Sequence, residues 1–320
     1  MCIKAFRAPR RRRLGAVLAT GLLAILGLTS SQIGAQPSQR IEKDSVFVTG
    51  SRHYHTHQFT LPGPAGHASY QVSIAWPQGD IPADGFAAVY ALDGTAVAGQ
   101  LTEPLLAQLR AAGGPAIIAL GHDVNKRFAS LERTYDYTPP NAQGEPLDDP
   151  MGRAGGRAPE YYRLLVEDII PRVENIAPLN PQQRTLWGHS YGGLFALWST
   201  FLGDGSFNRI VAVSPALWWN NGEFLHQLNT QLNLGEKPEL RLDIHSGSAE
   251  RKGDDTPTKR HDNPAINNMI RMRNQLPADA LENFSRVLRG AGVVGDDAVF
   301  DGLSHGATFS RSFELTVKNL

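Results

Sequence analysis

The chain has very little sulfur and almost no redundancy. Of 320 residues one is a cysteine, Cys2. Anything folded from the later residues therefore holds itself together without a disulfide, which a chain of this length can do because it buries a large core. There is no internal repeat and no low-complexity tract, which excludes a solenoid or an array. Acidic residues are missing from the first 35 positions, where Lys4, Arg7 and Arg10 to Arg13 supply six basic ones. An apolar stretch, Leu14 to Leu28, follows this basic run, and Ile33-Gly34-Ala35 ends in a small residue suited to signal peptidase. The stretch is shorter than the ~20 residues of a membrane span, so residues 1–35 read as a secretory signal, with periplasmic export as the expectation. Cys2 lies ahead of the apolar run and is not a lipid-attachment residue. The whole chain balances 31 basic against 31 acidic residues; without the first 35 it carries 25 against 31, a net charge of −6. That balance argues against nucleic acid as a partner, and no stable membrane association is expected once the signal is removed.

Residues 36–320 read as one α/β domain. Their first part is β-rich: Ser45 to Thr49, His53 to Thr60 and Ser69 to Trp76 have strand character, with a turn at Pro62-Gly63-Pro64. The pattern then changes. Gly85 to Leu92 and Pro115 to Leu120 are near-continuous apolar runs of the kind buried in parallel sheets. Leu101 to Ala112 has the period of an amphipathic helix, and Tyr161 to Ile176 of a second one in which Pro171 predicts a kink. Arg184 to Trp187, Arg209 to Val213 and Leu240 to Ile244 are further strands, and Thr308 to Val317 is a closing helix. A β-rich start followed by β/α alternation predicts a mostly parallel central sheet with helices on both faces and an antiparallel N-terminal region.

Gly188-His189-Ser190-Tyr191-Gly192-Gly193 sits between one of these strands and an apolar helix-prone run. Strand, G-x-S-x-G and helix form the context of a nucleophile elbow, in which a sharp turn exposes the serine hydroxyl. The Tyr191 amide, at the start of the helix, is then an oxyanion donor. A second donor is expected from the Asp93-Gly94-Thr95 turn after Leu92, with the Thr95 amide as the candidate; an ordinary Asp-Gly turn is the plain alternative. A serine hydroxyl needs a base. His305, in Gly302-Leu303-Ser304-His305-Gly306, is the last histidine and follows the order Ser, acid, His. Glu250 after the strand Leu240 to Ile244 is the candidate acid, with Asp254 and Asp255 as rivals. His189 should point away from the site. His53, His55 and His57 alternate along a strand, but no acid or cysteine adjoins them, and no metal or cofactor is expected.

Taken together, Val89 to Gly94, Arg133-Thr134-Tyr135-Asp136-Tyr137-Thr138-Pro139, Gly155 to Tyr162, the elbow, Ser214-Pro215-Ala216-Leu217-Trp218-Trp219-Asn220 and Gly302 to Gly306 resemble the esterase D-like branch of α/β-hydrolases. Within that branch the chain resembles the periplasmic trilactone-siderophore (enterobactin and salmochelin) esterases. The resemblance implies an α/β-hydrolase fold, Ser190 as nucleophile, His305 as base, and a third member that need not be well defined. It implies a small-molecule ester substrate, a ferric catecholate siderophore, whose iron is cargo rather than cofactor. By the same analogy Arg133 and Arg127 meet an anionic catecholate, the alternative for either being a surface ion pair with Glu132 or Asp136. Trp218 and Trp219 either wall the pocket or belong to the core. Residues 141–152 read as a polar loop, passive or acting as a flap. Feruloyl, acetyl and thioester hydrolases share many of these motifs, and a non-catalytic siderophore-binding protein is the alternative of another class.

Overall fold

The computed structural model describes residues 39–41, 44–250 and 264–320. The proposed signal segment, Cys2 and the rival acids Asp254 and Asp255 lie outside the described residues. The described residues belong to one compact unit. Among the described residues no helix is long and apolar enough to cross a membrane.

The unit opens with α1 (Val46–Thr49), a single helical turn where a strand was expected. The correction has a simple cause. In a strand Val46 and Phe47 would face opposite sides, whereas the turn buries both and leaves Val48 exposed. The hairpin of β1 (Tyr54–Leu61) and β2 (Tyr70–Pro77) comes next, then β3 (Phe86–Leu92), α2 (Gly94–Ala98), α3 (Glu103–Ala111), β4 (Ala116–His122) and α4 (Ser130–Tyr137). α5 (Ala158–Leu164) and α6 (Ile170–Ile176) are joined by a π turn over Leu165–Ile169. The expected kink at Pro171 takes this form because proline has no N–H to give and its ring crowds the carbonyl four residues back. β5 (Leu179–His189), α7 (Tyr191–Thr200), β6 (Arg209–Val213), α8 (Glu223–Asn233) and β7 (Arg241–Gly247) follow. The chain ends with α9 (Pro264–Gln275), α10 (Ala280–Gly290), β8 (Asp297–Phe300) and α11 (His305–Lys318).

The eight strands form one sheet in the order β1-β2-β4-β3-β5-β6-β7-β8. β2 runs antiparallel to β1 and β4; every other neighbouring pair is parallel. The apolar runs divide by parity, as side chains alternate across a strand. Ala88, Tyr90 and Leu92 face one core with Ile118, Leu186 and Ile210, covered by α5 to α8 and α10. Val89 and Ala91 face the other with Ile117, Trp187 and Val211, covered by α1, α3 and α11. Both faces being buried is what makes these strands continuously hydrophobic.

Two buried polar links hold the parts that carry the site. The Trp187 indole N–H donates to Ser312 Oγ at 3.0 Å, and Ser312 also meets His245 Nδ1 at 2.8 Å. Phe309 and Phe313 of α11 pack edge-on against Trp187. α11, which begins at His305, is thereby fixed to β5, which ends at the elbow. Asp243, with its carboxylate 1 % exposed, accepts from Arg209 at 2.6 Å, from Arg241 at 3.1 Å and from the Asp296 N–H at 2.7 Å. It ties β6 and β7 to the start of β8. Removing one partner of such a group strands buried charge. Asp243→Ala is therefore expected to lose about 3–5 kcal/mol in urea unfolding; a loss below about 1 kcal/mol would mean the cluster is dispensable.

Candidate active site

The elbow is built from a close approach of three strand ends. Ser190 sits at φ 62° and ψ −114°, a conformation that a non-glycine residue adopts only under constraint. The constraint is visible in its hydrogen bonds. The Ser190 N–H donates to the Val213 carbonyl at 2.9 Å, and its own carbonyl accepts from Leu194 at 2.8 Å and Ala216 at 3.2 Å. A Cβ at Gly188 would lie 2.2 Å from the Gly192 carbonyl oxygen, and one at Gly193 would lie 2.5 Å from that of Val213. Only glycine lets strand, turn and helix pack this tightly. Ser190 itself is half-buried.

The oxyanion turn meets the elbow from β3. Asp93 adopts φ 60°, and its N–H donates to the Tyr137 hydroxyl at 3.3 Å. A Cβ at Gly94 would come within 2.7 Å of the Gly121 nitrogen, so the turn is pressed against β4. Among the described residues neither the Thr95 nor the Tyr191 amide donates to a backbone carbonyl. Each stands in the first turn of a helix, where amides have no intrahelical partner. Both amides thus stand at the ends of adjacent strands without a backbone acceptor.

His305 and Glu250 come together at the end of β7. His305 Nδ1 lies 3.1 Å from Glu250 Oε2. Glu250 Oε1 accepts from Ser214 Oγ at 2.5 Å, from the Gly247 N–H at 2.6 Å and from Thr308 Oγ1 at 3.3 Å. One oxygen is thus saturated by fixed donors while the other is left to the imidazole. Burial pushes this carboxyl up, but the hydrogen bond and charge of His305, then Ser214 and the Gly247 amide, outweigh it and hold it at about 2. A carboxylate oxygen accepts, so this contact places hydrogen on His305 Nδ1 and leaves Nε2 without one in the neutral ring. His189, the residue before Ser190, donates its Nε2–H to the His305 carbonyl at 2.8 Å. No hydrogen bond joins Ser190 Oγ to the imidazole among the described residues.

The remaining expected site residues divide. Trp218 is half-buried and lines a cavity of about 630 Å³ beside His305 and Glu250, together with Ser214, Leu276, Ser285 and Val299. Ser190 is not among its walls; the cavity meets the site through His305 and Glu250. Trp219 is 1 % exposed and is a core residue, its indole N–H donating to the Pro139 carbonyl at 3.0 Å. Arg133 pairs with neither Glu132 nor Asp136. Its Nε and Nη2 donate to the two carboxylate oxygens of Asp93 at 2.8 and 3.0 Å, and Nη2 reaches the His189 carbonyl at 3.3 Å. Burial opposes the charge, yet Asp93 outweighs it and holds the guanidinium above its ordinary value. Arg133 therefore links the oxyanion turn to the elbow with its charge already compensated. Arg127 lies over the Phe128 and Phe309 rings, with its guanidinium carbon 5.1 and 6.0 Å from their centroids. The loop of residues 141–152 is anchored: Asp149 accepts from Arg153 and from Met151 N–H, and Tyr191 Oη reaches it at 3.4 Å. Sequence reasoning gave no role to Ser214 or Thr308, and its expectation that His189 points away from the site is corrected by the packing of that ring on His305, with centroids 4.5 Å apart. The first two are hydroxyls on other strand and helix ends, and only the folded chain brings them to Glu250.

The model of the esterase family, described as "Putative esterase", matches residues 65–314. The chain is similar to the apo-salmochelin esterase of Escherichia coli O6:H1, 32 % identical over 92 % of this chain and 87 % of that one. It is similar to the ferri-bacillibactin esterase BesA of Bacillus subtilis, 29 % identical over 60 % of this chain and 72 % of that one. Among solved structures it resembles the enterobactin hydrolase IroE in complex with DFP, with a TM-score of 0.65, 28 % identity, and coverage of 86 % of this chain and 98 % of that one. The strand order, the elbow and the family match lead to one conclusion: the chain belongs to the esterase family and is a serine ester hydrolase of the α/β-hydrolase fold.

Proposed function

We propose that this enzyme, exported to the periplasm, opens the ester backbone of a trilactone catecholate siderophore and so helps release its iron. The observation that carries the catalytic part is the Glu250 carboxylate, held by Ser214, Gly247 and Thr308 and aimed at His305 Nδ1 beside the elbow. The substrate class is supported by the siderophore esterases to which the chain is similar. Export is supported by the basic and apolar pattern of residues 1–35.

Ser190 Oγ attacks an ester carbonyl while His305 Nε2 takes its proton. The Thr95 and Tyr191 amides receive the oxyanion, each lowering the barrier by about 3–4 kcal/mol when aligned. Glu250 stabilises the imidazolium. His305 then protonates the departing serine oxygen of the lactone; water, deprotonated by the same imidazole, attacks the acyl carbonyl, and that proton passes to Ser190 Oγ as the acid leaves. Opening the ring costs the ligand its preorganisation for ferric iron. Trp218 offers a flat apolar wall to a catechol ring, and Arg127 offers a cation to its oxygens.

Cyclic tri-serine catecholate, iron-free and iron-loaded, is the substrate to test by mass spectrometry. Linear trimer or smaller pieces are expected with the wild type and not with Ser190→Ala. An unchanged ring alongside turnover of p-nitrophenyl, feruloyl or acetyl esters would move the assignment to another ester class. On p-nitrophenyl esters, Ser190→Ala is expected to lose at least about 1,000-fold in kcat; equal rates would favour the non-catalytic binding protein. Glu250→Gln is expected to lose at least about 100-fold, and a loss under about ten-fold would describe a Ser–His dyad. Because the folded value of Glu250 lies below its ordinary 4.5, its contribution to stability is present above about pH 4.5 and lost as pH falls towards 2. Thermal unfolding of Glu250→Gln should therefore show a shallower acid slope than wild type between those limits; parallel slopes would contradict the depressed value.

A further inference from the structure

We infer that His189 is a positioning residue that sets the place of His305 through its backbone, an inference that rests on His305 being the base. His189 occupies the last position of β5, next to Ser190, and is 5 % exposed. A carbonyl can only accept, so the 2.8 Å contact with the His305 oxygen requires hydrogen on His189 Nε2. The two imidazoles pack with centroids 4.5 Å apart at 44°, and Phe309 closes the His189 ring from α11 at 5.5 Å, edge-on. The main chain of His189 is also held, its carbonyl taking the Arg133 Nη2 at 3.3 Å. One residue therefore grips the base with its side chain, carries the nucleophile as its chain neighbour, and is tied to the oxyanion turn by the Arg133–Asp93 pair.

A neutral donor is what this place needs. His305 becomes cationic when it takes the serine proton, and a second cation 4.5 Å away would oppose that step. Burial first, and then the charge of His305, keep the His189 imidazole well below its ordinary value. No other donor reaches the His305 carbonyl from β5 among the described residues. Without this bond α11 keeps its core contacts through Phe309 and Phe313 but loses the polar link between its first residue and the elbow. A displacement of about 1 Å at a reacting group costs on the order of 100-fold in rate.

The test compares His189→Gln, which places an amide N–H near the position of Nε2 and cannot titrate, with His189→Leu, which removes the donor. With p-nitrophenyl esters the Leu variant is expected to lose about 10- to 100-fold in kcat with KM changed less than about three-fold, and Gln to retain most of the rate. The downfield proton signal of His305 Nδ1 bound to Glu250 should persist in Gln and broaden or shift in Leu. If Leu does not fold, His189→Asn serves in its place, since its donor is one carbon too short, and it should fall as Leu would. Equal rates in Gln and the donor-less variant overturn the proposal, as does equal loss in both, which would make His189 a proton carrier. Ser190→Ala and His305→Ala run in parallel separate the two levels. If they retain activity, the assignment of the base fails; if they are dead while the His189 variants are indifferent, only this inference fails.

Discussion

A backbone held at φ 62° and ψ −114° on one serine is the constraint from which the rest of the site follows. Such a conformation costs on the order of 1–3 kcal/mol and persists only where the surroundings over-determine it. Here they do. The Val213 carbonyl takes the Ser190 N–H, Leu194 and Ala216 hold its carbonyl, and glycines at 188 and 193 remove the atoms that would collide. The strain has a chemical use. It turns the hydroxyl out of the sheet while leaving the Tyr191 amide, at the start of α7, without an intrahelical acceptor.

The other strand ends are arranged around that turn. β3 delivers Asp93 and Thr95, β6 delivers Ser214, itself at φ 44°, and β7 runs out into Glu250. α11 returns underneath and starts with His305. The charges at this end are largely compensated in pairs, Arg133 with Asp93 and Arg153 with Asp149. That pairing spends most of the local positive charge on shape. Glu250 stands at the same end of the sheet, with Oε2 3.1 Å from His305 Nδ1.

Much of this was legible in the sequence for physical reasons. Parallel strands buried on both faces read as apolar runs, so Phe86–Leu92 and Ala116–His122 announced themselves. The elbow was legible because glycine spacing reports a steric requirement. Val46–Thr49 was not, because four residues carry too little period to separate a strand from one helical turn, and burial of two adjacent side chains decided the matter. Arg133 shows the other limit. Its neighbours in sequence, Glu132 and Asp136, suggested local ion pairs, whereas a helix placed across the β3 end gave it Asp93, 40 residues away. Trp218 and Trp219 are adjacent in sequence, yet one faces a cavity and the other the core. Asp136, for its part, is buried against His122 at 2.7 Å and the Tyr70 hydroxyl at 3.1 Å, a pairing that no local pattern signals.

The central claim is that the hydroxyl on this strained turn is the group the site activates. Covalent labelling by a fluorophosphonate, followed by peptide mass spectrometry, reads it directly. A single phosphonyl adduct on the peptide bearing Ser190, absent when His305 is replaced by alanine, is the predicted result. An adduct on Ser214 or another serine, or labelling of Ser190 that is indifferent to His305, would contradict it.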